Sequence, residues 1–255
     1  MDVLSQLTPE EVLTKGSVAK YEEGRDFFWL GQMVPLNASI YIVERIQEFP
    51  FDVFATTPRD TLFFKLVVHN FLNSIVVTIS RLVDPHHEAY TLTKFKKTVL
   101  KLVRTEYSDA FRKRLRDAKF DKTTLEIQER VKNVRDEIIA HLDREVFLGD
   151  RPADRVTFSE IKQLADALNC LLRTLFFGSD VLMLPVCYDP SVQHPEGTKT
   201  DIEQILDDFA KRHPMLTLPD DQPYEWEQSL RKRFTGSQIS KLNFYRRKFG
   251  LPEVT

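Results

Sequence analysis

Arg135 and His141 combine the side-chain types that phosphodiester cleavage needs with a spacing that a single helix can carry. Imidazole transfers protons near neutral pH, as attack by an RNA 2'-hydroxyl on its neighbouring phosphate demands. Guanidinium donates two parallel hydrogen bonds to phosphate and steadies the charge that develops on it. This chemistry needs no metal and no cofactor, and neither is expected here. His86-His87 beside Asp84 reads as a polar loop after a helix, and Cys170 and Cys187 are too few for a disulfide framework or a zinc site.

With Val134 at zero and about 100° per residue, Val134, Ile138, Val131, Leu142 and Ile139 fall within an arc of about 140°, a core-facing stripe. On the same wheel His141 falls near -20° and Arg135 near 100°, so each borders the stripe. An unpaired charge placed there would cost several kcal/mol, on the order of a buried polar group, unless a partner or ligand satisfies it. The two cations are about 120° apart, too far for one helix to aim both at one phosphate. A second copy related by a two-fold axis would bring two Arg135 and two His141 to one cleft, so a homodimer is expected. The plainer reading is that Arg135 pairs with Glu129, Asp136 or another acid, and that His141 is a satisfied core histidine.

The elements that must hold this segment read as helices. Gly is scarce at 8 residues, Phe is plentiful at 19 and charged residues make up 29% of the 255, a balance that favours an all-α fold. Thr8-Pro9-Glu10-Glu11 starts a first helix that Gly16 closes. Two amphipathic helices follow, about 17–33 and 37–49, and 50–58 is a loop. Thr57-Pro58-Arg59-Asp60 opens the longest helix, apolar from Leu62 to Leu82 and stopped at Asp84-Pro85. It reads as a buried core helix rather than a membrane span, with His69 as a core histidine. Asn70 and Asn73, one turn apart on it, are candidate substrate-binding residues.

Thr91 to Thr93 caps a basic helix to about Arg104, a short helix follows Ser108, and Thr123 or Thr124 begins the helix bearing Arg135 and His141. Thr157 or Ser159 caps a further apolar helix. Residues 94–135 hold 14 Lys or Arg against 6 Asp or Glu, a local +8 within a chain of net charge -2. This block is either the solvated face of amphipathic helices or the footprint of an anionic partner. Arg130 and Lys132, just before the Arg135 segment, are candidate substrate-binding cations.

From Cys187 to Thr200 the composition turns to Pro, Gly, His and Asp, a linker. The tail beyond it separates charge: 186–227 carry ten acids and three bases, 229–249 seven bases and no acid, with Phe234, Phe244, Tyr245 and Phe249 interleaved. That last segment either grips single-stranded RNA by stacking and charge or packs on the bundle. The two cysteines, too few for a disulfide framework, lead to the expectation of a reducing, cytoplasmic location, and the first residues show no basic and apolar regions of a secretory leader.

Arg135-Asp136-Glu137-Ile138-Ile139-Ala140-His141 resembles the signature of HEPN-domain ribonucleases. Ile79-Ser80-Arg81-Leu82-Val83-Asp84-Pro85, Thr91-Leu92-Thr93 and Ala140-His141-Leu142-Asp143 are similar to the abortive-infection, AbiU-type branch of that superfamily. The resemblance covers roughly residues 58–185. It implies a dimerising helical bundle that cuts RNA without metal in antiphage defence or as a toxin, with an antitoxin or defence-system protein as a possible partner. By resemblance His141 transfers the proton or orients the 2'-hydroxyl, Arg135 stabilises the phosphate, and Asp136 orients both. His141-Leu142-Asp143 departs from toxins silenced by nucleotidylation, which carry a tyrosine two residues after the histidine.

The expected organisation is therefore N-terminal helices packing on the bundle (1–57), an HEPN-like bundle (58–185), a linker (186–200) and a helical C-terminal extension (201–255). The alternative to a metal-independent endoribonuclease is a non-catalytic scaffold whose basic face holds RNA or a partner protein.

Overall fold

The computed structural model describes residues 3–55, 57–134, 157–178, 199–213, 216 and 232–254. Among these residues every regular element is helical, and the one β-like feature is an isolated antiparallel bridge between Leu13 and Val103. The chain forms two compact units, one of Met1–Tyr41 and Phe71–Val192, the other of Ile42–Asn70 and Gln193–Thr255. Divisions at 57, 185 and 200 do not follow these units.

In the first unit, α1 (Pro9–Val12) starts from a capping box in which the Thr8 N–H donates to Glu11 Oε2 at 2.7 Å. The helix is a single turn. It ends at Leu13 because the chain there becomes extended and pairs with the strand-like end of α6 (Leu92–Leu102), through Thr14 N–H to Leu102 O and Arg104 N–H to Val12 O. Arg104 reinforces the junction by donating to Leu13 O and Glu10 O, both at 2.8 Å. Gly16 has φ +83, so it turns the chain into α2 (Val18–Phe28) rather than capping α1.

The expected break between two N-terminal helices does not occur. α2 passes through a π-helical turn, Trp29–Met33, directly into α3 (Val34–Glu48). Pro35 lacks an N–H, and the wider turn just before it absorbs the backbone adjustment that proline requires.

Aromatic rings fill the first core. Tyr21, Phe28, Phe95, Phe111, Phe176 and Phe177 are fully buried, with Phe28 stacked on Phe95 at 5.2 Å and Tyr21 against Phe177 at 5.4 Å. α2 meets α6 at Gly24, where a Cβ would lie 2.5 Å from the Phe95 ring. Further along, α7 (Thr105–Asp117) and α8 (Phe120–Val134) follow α6, and α9 (Phe158–Arg173) is capped by Thr157 and Glu160. A reciprocal amide pair, Asn37 with Asn169 at 3.2 and 3.0 Å, ties α3 to α9.

The second unit has its own core around Phe49, Phe54, Phe64, Leu206 and Leu242. It is built from the end of α3, α4 (Phe51–Phe54), the start of α5 (Leu62–Val83), α10 (Asp201–Lys211) and α11 (Gly236–Lys248). Phe49 touches the rings of Phe51, Phe54, Phe209 and Tyr245. Asp207, only 3% exposed, accepts from Lys199 and Lys248 at 2.6 Å each. Burial and the nearby Asp207 push the Tyr245 phenol up to about 12.

The aromatic and basic C-terminal segment is largely spent on this core. Phe234, Tyr245 and Phe249 pack against it, and only Phe244 stays more than half exposed, at 55%.

α5 departs from the buried core helix expected. Its last turns bury Ile75, Val76, Ile79, Leu82 and Val83, but Leu62, Phe63 and Leu66 are each more than half exposed. It is apolar and long enough to span a bilayer, and only 22% of its most apolar window is buried. At 1.5 Å per residue the helix is about 33 Å long, and its two ends belong to different units, so no single core covers its length. For the same reason His69 is exposed rather than a core residue.

Candidate functional site

α8 leads the chain to the Arg135 segment. Phe120, Thr124, Ile127 and Val131 are buried, a stripe at four- and three-residue spacing that faces the first unit's core. Thr124, polar but inside the stripe, satisfies its hydroxyl on Phe120 O at 2.8 Å. Val134 ends the described part of α8, and Arg135 follows directly in sequence. Arg135, Asp136 and His141 lie outside the described residues.

The four candidate substrate-binding residues are described. Arg130 donates from Nη2 to Glu160 Oε1 at 2.7 Å, which joins α8 to the first turn of α9. Lys132 is exposed, with no ion pair among the described residues. On α5, Asn70 is exposed and Asn73 is half-buried and already engaged. Arg130 and Lys132 thus share α8, while Asn70 and Asn73 share a face of α5.

Glu160 is the best-defined carboxylate at this end of α8. It accepts from the Thr157 N–H at 2.8 Å and the Thr157 hydroxyl at 2.9 Å as well as from Arg130. The Thr157 backbone and hydroxyl bonds, followed by Arg130, hold its carboxyl below the usual range. A shallow cleft of about 320 Å³ runs beside this pair, lined by Ile127, Arg130, Gln163, Leu164 and Ala167. It is at the small end of ligand-site volumes and mostly apolar, a shallow shelf beside the ion pair.

The basic block does not act as one surface. Lys96 is buried at 8% exposure, paired with Asp121 and lying over the Phe120 ring at 5.4 Å. Arg114 turns inward and donates to Phe176 O at 2.7 Å. Sequence patterning marked both only as members of a charged run. The signal that sets Lys96 apart is its place beside Phe95 and Val99 on the apolar side of α6.

The His86 and His87 rings lie tilted against each other at 4.6 Å, and the His86 backbone N–H donates to Asp84 Oδ1, so these residues form the turn that ends α5. Among the described residues no three His, Cys, Asp or Glu side chains gather as metal ligands.

Among the described residues the first unit is helical, and its α8 precedes an Arg-x5-His segment in the sequence, which agrees with the family that the comparison shows. The chain belongs to the AbiU2 family of HEPN domains, whose profile matches residues 44–175. That span begins earlier than the 58–185 resemblance and takes in the end of α3 and all of α4. It contains every candidate site residue and leaves the C-terminal extension outside. No curated protein and no solved structure matches the chain.

Proposed function

We propose that this protein is a metal-independent endoribonuclease that works as a homodimer in antiphage defence or as a toxin-type effector. The observation that carries the reading is the family match, which encloses Arg135-Asp136 and His141. In the proposed site His141 orients the 2'-hydroxyl and takes its proton as the 2'-oxygen bonds to phosphorus; the P–O5' bond breaks, the leaving 5'-oxygen takes up a proton, and a 2',3'-cyclic phosphate remains. Arg135 binds the attacked phosphate and stabilises its developing charge, and Asp136 orients the two. Lys132 adds a cation, and Arg130 contributes once phosphate competes with Glu160.

The two-fold arrangement is drawn from the helix expected from sequence over Arg135 to His141, on which the two cations would stand about 120° apart, roughly a third of a turn. Exposed Leu62, Phe63 and Leu66 add support, because apolar residues bared on one helix suit a surface that another chain covers. A cytoplasmic location and control by an antitoxin or defence-system partner belong to the same proposal.

The test is RNA cleavage by purified protein in EDTA. Wild type cuts, and His141→Ala and Arg135→Ala each lose about 10²-fold or more in rate. Equal rates in all three would leave the non-catalytic scaffold, with Arg135 and His141 merely paired to acids.

A further inference from the structure

The described cations of the basic block are either paired, Lys122 with Glu126 among them, or exposed without an ion pair, as are Lys97 and Lys101 on α6 and Lys132 on α8. Lys94, Lys96, Arg104, Arg114 and Arg130 are occupied by named acceptors within the first unit. Arg112, Lys113 and Arg116 on α7 and Lys119 in the turn after it are exposed too and form the densest group, their side chains making no ion pair or hydrogen bond among the described residues. Taking Arg112 as zero, Arg116 falls near 40° and Lys113 near 100°, so the three share one face. Asp109 lies on that face one turn earlier and Asp117 flanks it, so the cations dominate toward the C-terminal end.

The helix presenting them is fixed. Phe111 is fully buried and Leu115 is 8% exposed, and Arg114 reaches past α7 to Phe176 O at 2.7 Å and Arg173 O at 3.5 Å. Complementing the helix dipole explains Arg116, which sits in the last turn. It does not explain Arg112 and Lys113, because the effect fades beyond that turn.

We propose that this face of α7, with Lys119, is a track for the phosphate backbone of single-stranded RNA. The choice of RNA rests on the nuclease reading; the choice of a phosphate chain rests on the face itself. Arg112 and Arg116 stand about 6 Å apart along the axis, each able to hold a phosphate bidentately. No large apolar side chain is exposed on α7, whereas a protein partner or a membrane needs apolar anchors beside the charge. The track binds without reading bases, so it holds substrate and leaves sequence choice to the site.

The test measures binding of a fluorescent single-stranded oligouridylate by full-length His141→Ala protein across a salt series. Each phosphate contact on a single strand contributes about 0.7 to the slope of log K against log salt. Replacing Arg112, Lys113, Arg116 and Lys119 with Gln lowers that slope by about 2 and weakens low-salt binding at least tenfold, roughly three contacts' worth. A charge-matched control replaces Arg59, Lys65, Lys15 and Lys20, all exposed elsewhere, and leaves the slope unchanged. An unchanged slope in the α7 variant, or an equal fall in the control, overturns the track. Neither outcome touches the nuclease reading, which is decided by whether wild type cuts and His141→Ala does not.

Discussion

Glu160 holds Arg130 at 2.7 Å while its carboxylate also closes the capping box with Thr157, so one side chain both starts α9 and fastens it to α8. The helix that leads to Arg135 is braced at its described end by a neighbour's cap. Bracing of this kind favours a fixed aim for whatever follows on the chain.

Thr157→Ala removes the N-cap acceptor of α9 and costs about 1 kcal/mol, a fall of roughly 2–4 °C in melting temperature for a chain of this size. Glu160→Gln also lowers it, and its pH dependence has a definite sign. The Glu160 carboxyl is held below its ordinary value of 4.5, so its contribution is present above that value and is lost as pH falls through the lower folded one. The gap between wild type and Glu160→Gln in a thermal melt stays constant near neutral pH and closes in acid. A gap that widened in acid would show that the carboxylate is not stabilising.

Gly24→Ala sets two effects against each other. Alanine is worth up to about 1 kcal/mol over glycine inside a helix. Its Cβ, however, would meet Phe95 at 2.5 Å and the Tyr90 hydroxyl at 2.9 Å, and Phe95 is fully buried and cannot swing away. Overpacking of this kind costs about 1–3 kcal/mol and wins. Chemical denaturation reads a lower midpoint for Gly24→Ala, whereas Gly236→Ala, with nothing within 4 Å, is neutral or better.

His213 makes the second unit sensitive to mild acid. Burial holds its imidazole below the ordinary 6.5, against an opposing pull from Asp60, and it packs edge-on to Phe54 at 5.8 Å. Above pH 6.5 it is neutral in both states and contributes nothing. Below that value the unfolded chain takes up a proton that the folded chain does not, so stability falls until the folded group titrates as well. Between about pH 7 and pH 5.5, wild type loses more melting temperature than His213→Gln. Parallel curves would contradict the assignment.

Much of the helical architecture was legible in the sequence because its signals are local. Thr8-Pro9 and Thr57-Pro58 mark their helix starts, the choice between Thr157 and Ser159 as the cap of α9 resolves to Thr157, and Asp84-Pro85 ends α5. What depends on long-range packing was not legible. The gap expected between helices 17–33 and 37–49 is closed by a π-turn that carries the helix past Pro35. His69 reads as a core residue because its neighbours are apolar, but exposure is decided by whether another element covers that face. The pairing of Ile42–Asn70 with the C-terminal extension arises from contacts between Phe49, Phe64 and Phe209, far apart in the chain and equal to any other phenylalanine in composition. At the candidate site the residue types were readable, while the commitment of Arg130 to Glu160 depends on the distant cap of α9.

The central claim is a site assembled from two protomers, and mixing inactive variants tests it most directly. Arg135→Ala and His141→Ala proteins are each assayed for RNA cleavage in EDTA, then unfolded together, refolded and assayed again. A mixed dimer carries one intact Arg135 and one intact His141 in the shared cleft, so activity returns to a fraction of wild type. A mixture as inactive as its parents, beside an active wild type treated identically, would contradict the composite site.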